Sequence, residues 1–203
     1  MFGTIGYREV CENMSFVSIV GNKKFINVVS DGLAVWPDRR EQNFKKFNKI
    51  KGKFFIAYAG TVTICLSVRE QVLDMFNSGE ALEHVIDTVS RNLSHTVYNE
   101  NNKAMICIGG KNTKGKLVFA TMSNKPYSKL HRLSCDTDDI KYAFLQHHEG
   151  SLIAEKEFCR LAQESGSISS KRMLQTQKKL SVYMSKLNPD TVNEITFSTT
   201  ITV

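Results

Sequence analysis

Apolar and polar positions along the 203-residue chain change period several times, and each change marks an element. SFVSIVG (15–21) and FINVVSD (25–31) are rich in β-branched and aromatic residues, and the polar connection Asn22-Lys23-Lys24 has hairpin length. Two antiparallel strands are predicted there. A second hairpin is predicted where FNKI (47–50) and KFFIAYAG (53–60) meet at Lys51-Gly52, since glycine supplies the backbone freedom of a tight turn. From Thr61 to about Phe76 the period lengthens: Val62, Cys65, Leu66, Val68, Val72, Leu73 and Phe76 recur at three- and four-residue spacing, an amphipathic helix. Ala81 to about Tyr98 repeats the pattern through Leu82, Val85, Ile86, Val89, Leu93 and Val97, with Ser78 or Gly79 as start and 99–102 as stop.

Strands return with AMICIGG (104–110) and GKLVFATMS (115–123), a third hairpin flanked by glycines, and a weaker strand, SKLHRLSC (128–135), follows. Ser151 to about Gln163 and Ser169 to about Leu187 read as two further helices, with Ser151 and Ser169 or Ser170 as caps and Asn188-Pro189 as terminator. NEITFSTTITV (193–203) is a last strand. No βαβ alternation is present to build a parallel sheet. The order permits two antiparallel sheets packed face to face, with helix pairs outside. The central strands would then be covered on both faces, which explains why FFIAYAG and AMICIGG are almost continuously apolar. QESGSISSKR is an interhelical loop, and neither an internal repeat nor a linker is evident.

Composition adds limits. With 41% hydrophobic and 23% charged residues and three prolines, the chain is globular and long enough for one domain with its own core. Its net charge of +7 is only partly concentrated, in Lys45, Lys46, Lys49, Lys51 and Lys53 around the second hairpin and in Lys171, Arg172, Lys178 and Lys179 on the last helix. Without interleaved aromatics or a recognition-helix motif these read as solvated faces, and no nucleic-acid partner is expected. Cys11, Cys65, Cys107, Cys135 and Cys159 lack metal-ligand spacing and lie mostly in apolar runs, as buried thiols of a reducing compartment would. MFGTIGYREVCEN has no apolar core for a secretory signal, and nowhere do about 18 apolar residues run uninterrupted. A cytoplasmic protein without membrane partner is expected.

No cofactor or metal is expected either. Gly109-Gly110 and Gly115 are turn glycines without phosphate-cradling spacing. His147-His148-Glu149 reads as a loop start, because adjacent histidines diverge on any regular element, and His84 and His95 share a solvated face with Asp87 and Arg91. Trp36-Pro37 anchors the segment after the second strand or serves a subunit contact.

SIVG, VVSDG, KKFNKI, FFIAYAG followed by a helix, and MICIGG followed by a hairpin resemble, in that order and spacing, the β-type proteasome subunits and their bacterial heat-shock protease relative, which are N-terminal nucleophile hydrolases. The resemblance runs from Ser15 to Val203. It implies an α+β fold, a four-layer αββα sandwich of two antiparallel sheets, assembly into a homo-oligomer or ring, and a peptide or amide substrate if the chain is active. In that family the first residue of the mature chain is the nucleophile and its α-amine the general base, a role suited to an amine that titrates near ~7.7–8.0. Asp31 matches the acidic residue that orients the site lysine. Lys46 matches that lysine, whose charge lowers the pKa of the nucleophile and amine. Counting back from Asp31 places Ser15 at the nucleophile position, whereas counting back from Gly21 places Val17 there. Ser167, Ser169 and Ser170 are candidates for the family's later site serines. Two functions follow: a peptidase with an N-terminal serine, or a noncatalytic structural or interaction subunit.

Residues 1–14 read as a leader or a mis-assigned start before a domain spanning 15–203. The self-cleaving relatives carry glycine before the nucleophile, and Met14 stands here. Methionine before a small residue is a substrate pattern for initiator-methionine removal, so translation from Met14 would expose Ser15 with a free amine. Arg8-Glu9-Val10 is compatible with the purine-rich codons AGG-GAG-GTG, which resemble a bacterial ribosome-binding site.

Overall fold

The computed structural model describes residues 15–36, 38–99, 101–146 and 151–203. The leader, Met14, Cys11, Pro37 and His147-His148-Glu149, all singled out in the sequence, lie outside the described residues. β1 (Val17–Asn22) and β2 (Phe25–Asp31) form the first hairpin, with Val17 opposite Ser30 and Asn22 opposite Phe25. β11 (Thr196–Thr202) pairs with the other edge of β2, and β10 (Lys141–Leu145) with the other edge of β1, giving an antiparallel sheet ordered β10-β1-β2-β11. A second antiparallel sheet runs β5-β6-β7-β8-β9, from β5 (Phe47–Ile50), β6 (Phe54–Gly60), β7 (Ala104–Lys111), β8 (Leu117–Ser123) and β9 (His131–Ser134). Between β2 and β5, β3 (Ala34–Val35) and β4 (Arg40–Glu41) make a two-residue ladder.

Three apolar clusters hold these elements together. Val17, Ile19, Ile26 and Val28 from the first sheet meet Phe47, Phe55, Ala57, Cys107 and Phe119 from the second, so the sheets face each other. Helices α1 (Val62–Asn77) and α2 (Leu82–Ser94) cover the outer face of the second sheet, packing Val72, Phe76, Val85 and Val89 on Ile56, Ile106 and Ile108. Helices α3 (Ser151–Ser165) and α4 (Ser170–Leu187) cover the first sheet, with Phe158, Leu180 and Met184 against Phe16, Val20 and Phe25. Covered on both faces, β6 and β7 bury all but Phe54, Gly60, Met105 and Lys111, which is the cause of their continuous apolar runs.

The structure departs from the sequence expectation at identifiable places. KYAFL becomes β10, an edge strand whose first four residues are half-buried, so neither a strict alternation nor a continuous apolar run announces it. Helix α2 ends at Ser94 instead of near Tyr98. The His95 N–H donates to the Asn92 carbonyl and the Thr96 N–H to the Leu93 carbonyl, and the apolar period breaks because Val97 is exposed. Cys159 is exposed, unlike Cys65, Cys107 and Cys135, which are buried. Lys46 is withdrawn from the basic surface set: it is buried. Among the described residues no helix is long and apolar enough to cross a membrane, and no His/Cys/Asp/Glu group is placed to hold a metal ion.

Candidate functional site

Asp31 closes β2 at the end of the sheet where the described chain begins. Its N–H donates to the Phe16 carbonyl at 3.1 Å, and the Phe16 N–H donates back to Asp31 Oδ1 at 2.9 Å. The Leu33 N–H donates to Oδ2 at 2.9 Å. One carboxylate therefore ties the start of β1 to the turn after β2. That turn is held again at Gly32, whose N–H donates to Asn193 Oδ1 at 2.8 Å, while Asn193 Nδ2 donates to Gln42. A Cβ at Gly32 would meet the Gln42 carbonyl at 2.8 Å, so glycine is required by close approach.

Lys46 reaches the same carboxylate from just before β5. The Tyr58 N–H donates to the Lys46 carbonyl at 3.0 Å and the Tyr58 hydroxyl to the Lys45 carbonyl at 3.1 Å, so β6 fixes the lysine's backbone. Lys46 Nζ donates to Asp31 Oδ1 at 2.6 Å and Oδ2 at 2.7 Å. Two ammonium and two amide donors satisfy the ionised carboxylate, the arrangement in which a buried charge pair is tolerable. Burial pulls the Lys46 ammonium below the usual lysine range, and the attraction and hydrogen bonds of Asp31 oppose that shift.

Ser15 and Lys46 line one small cavity with Leu33, Phe44, Tyr58 and Cys65. Its volume is about 20 Å³, room for roughly one water molecule. The cavity floor is pinned at the β6–α1 junction, where the Thr61 N–H donates to the Lys103 carbonyl at 2.7 Å and the Thr61 hydroxyl to the Asn101 carbonyl at 2.8 Å. Ser15 is half-buried. Val17, two residues on, is fully buried between the sheets opposite Ser30 and Leu145, and does not line the cavity.

The structure thus brings Ser15, Asp31 and Lys46 to one end of the sandwich. It does not bring the late serines there: Ser169 accepts from the Arg172 N–H as the cap of α4, and Ser170 donates to Asn27 Oδ1, neither lining the cavity. The backbone donors of Phe16 and Leu33, the pin at Asn193, and Cys65 were missed by sequence reasoning. Backbone donors carry no residue signature, Asn193 is 162 positions from Asp31 by subtraction of their numbers, and Cys65 reads as one member of an apolar helical stripe. Burial pushes the Cys65 thiol up to about 12, against the opposing charge of Lys46, so it is protonated and unreactive near neutrality.

No protein-family model matches the chain, and no curated protein matches it by sequence. Among solved structures, eukaryotic HslV from Trypanosoma brucei superposes with a TM-score of 0.65 over 93% of this chain and 99% of its own, at 11% sequence identity. The chain therefore has the HslV-like, proteasome-like fold that its sequence resembles.

Proposed function

We propose that this protein is a proteasome-like N-terminal nucleophile hydrolase, a four-layer αββα sandwich over 15–203, which cleaves peptide or amide bonds with Ser15 once residues 1–14 are absent. The observation that carries the reading is the buried Lys46–Asp31 pair opening on a cavity shared with Ser15. In this reading the free Ser15 α-amine takes the Oγ proton as Oγ attacks the substrate carbonyl, and the amine then protonates the leaving nitrogen. Water hydrolyses the resulting ester with the same amine as base. Lys46 supplies a fixed positive charge that favours the neutral amine and the developing alkoxide. A lysine ammonium has three donors, and Asp31 takes two. Asp31 positions Lys46 and, through the Phe16 N–H, the peptide that carries Ser15.

The α-amine exists only if the Met14–Ser15 bond is absent, so the test compares chains starting at Met1 and at Met14 by intact mass and by turnover of short fluorogenic peptides. Turnover by the Ser15-initiated form, lost in Ser15→Ala, supports the reading; equal rates in Ser15→Ala end it. Pyrimidine-rich codons at 8–10 would count against a start at Met14. The noncatalytic reading draws on the cavity, which Phe44 and Tyr58 wall down to about one water molecule. A Ser15-initiated form without turnover would establish that reading. Assembly into a homo-oligomeric ring in a reducing, cytoplasmic compartment belongs to the same proposal.

A further inference from the structure

The register of the two sheets places more than Ser15 at the catalytic end. Across the second sheet Ala59 pairs with Met105 and Met105 with Ser123, while across the first sheet Val17 pairs with Leu145. Gln146 therefore lies level with Phe16, one residue from Ser15. Ala59 lines the Ser15 cavity. Met105, Ser123 and Lys125 line a second cavity with Gln146, and they also line a third, larger one of about 270 Å³ with Lys129 and His131. The three cavities follow one another across the ends of β6, β7 and β8 and on to the start of β9.

Two properties of this row point to a ligand. Gln146 is nine-tenths buried, and both its amide nitrogen and its amide oxygen lack partners among the described residues. An unpaired buried amide is costly, and this one carries the donor and acceptor that an extended peptide backbone requires. Lys125, which both cavities share, and Lys129 and His131 at the far end are exposed, and among the described residues no carboxylate lines either cavity. Apolar Met105, Met122 and Phe144 form the floor between these polar ends. A groove with an amide near Ser15, an apolar floor, and exposed cations from Lys125 out to Lys129 and His131 is complementary to a short peptide ending in a free carboxylate.

We propose that this groove binds the part of a peptide substrate C-terminal to the scissile bond, with its terminal carboxylate at Lys125 and Lys129. The proposal rests on the peptidase reading and adds a substrate class and a direction: short peptides, or chain ends, lying with their C-terminus toward β9. Three strand spacings of ~4.8 Å separate β6 from β9, about 14 Å, which an extended chain rising ~3.3 Å per residue spans in about four residues. The favoured scissile bond is thus about three or four residues from the C-terminus.

The test uses Ser15-initiated full chain and its Ser15→Ala variant, so that binding is read without turnover. Calorimetric titration with N-acetyl-tetra-alanine as free acid and as C-terminal amide is expected to show the acid binding at least tenfold more tightly. In Lys125→Gln/Lys129→Gln the two forms should bind within about twofold of each other, at an unchanged melting temperature, since both lysines are exposed. Hydrolysis of octapeptides should favour the bond three or four residues from a free C-terminus, and that preference should vanish when the terminus is amidated. Equal binding of acid and amide, or a preference that survives the double substitution, overturns the groove assignment and leaves the peptidase reading intact. Acid-selective binding without hydrolysis of any peptide retains the groove as a peptide-carboxylate site and removes the peptidase reading.

Discussion

Lys46 Nζ sits 2.6 Å from one oxygen of Asp31 and 2.7 Å from the other, and the two side chains are 3% and 0% exposed. A pair this buried is held by mutual neutralisation. Asp31→Asn leaves an ammonium without its countercharge and is expected to cost about 3–5 kcal/mol in urea unfolding. Lys46→Met leaves the carboxylate with only the Phe16 and Leu33 amides and should cost a similar amount. The double variant should be more stable than the sum of the single losses predicts; strict additivity would show that the pair is not a unit.

Val17 and Ser15 are two residues apart and are expected to separate cleanly by experiment. Val17→Ala opens a void between the sheets and should lower stability by about 2 kcal/mol, while leaving the turnover of the Ser15-initiated form within a few-fold of the parent. Ser15→Ala should leave the unfolding free energy within about 0.5 kcal/mol of the parent and abolish turnover. The reverse pattern would move the nucleophile away from Ser15.

Gly60 adopts φ +122°, and a Cβ there would meet the Lys103 carbonyl at 2.2 Å. Gly60→Ala therefore combines a backbone conformation that L-residues resist with a clash against backbone, and should cost more than about 2 kcal/mol and disturb the Ser15 cavity that Gly60 lines. Gly52 provides the control. It has φ +69° with open space around it, so Gly52→Ala pays the conformational term alone, about 1 kcal/mol. Equal losses at the two sites would mean that the carbonyl contact is unimportant.

The cysteines give a labelling pattern and a pH dependence. In a chain starting at Met14, iodoacetamide at pH 8 should modify Cys159 alone, and all four thiols in urea. The folded Cys65 thiol titrates at about 12 against 9.0 for a free thiol, and Cys107 and Cys135 are raised in the same direction by burial. Between those values the unfolded chain loses protons that the native state keeps. Stability from this source is complete below pH 9 and falls as the pH rises toward 12. Cys65→Ala should flatten part of that decline above pH 9; an unchanged slope would assign it elsewhere.

Much of the fold was legible from periodicity. Nine of the predicted segments became β1, β2, β5, β6, β7, β8, α1, α3 and α4 at bounds within two residues, because each is long or strongly patterned. Helix α2 was also legible, apart from its C-terminal end. The candidate site was legible only through the order of short motifs. SDG and KKFNKI name Asp31 and Lys46, and nothing in those strings says that the lysine turns inward while Lys45 and Lys49 stay exposed.

The sequence by itself determined most of the elements and the two covered central strands, and permitted two facing sheets, because hydrophobic period encodes which face of each element is buried. It also left two positions, Ser15 and Val17, for the proposed nucleophile without choosing between them. Tertiary structure decided the rest. Pairing of β10 with β1, burial of Lys46 against Asp31, and the placing of Ser15 at the cavity with Val17 in the core depend on register and contacts between residues distant along the chain, and local pattern carries no record of those.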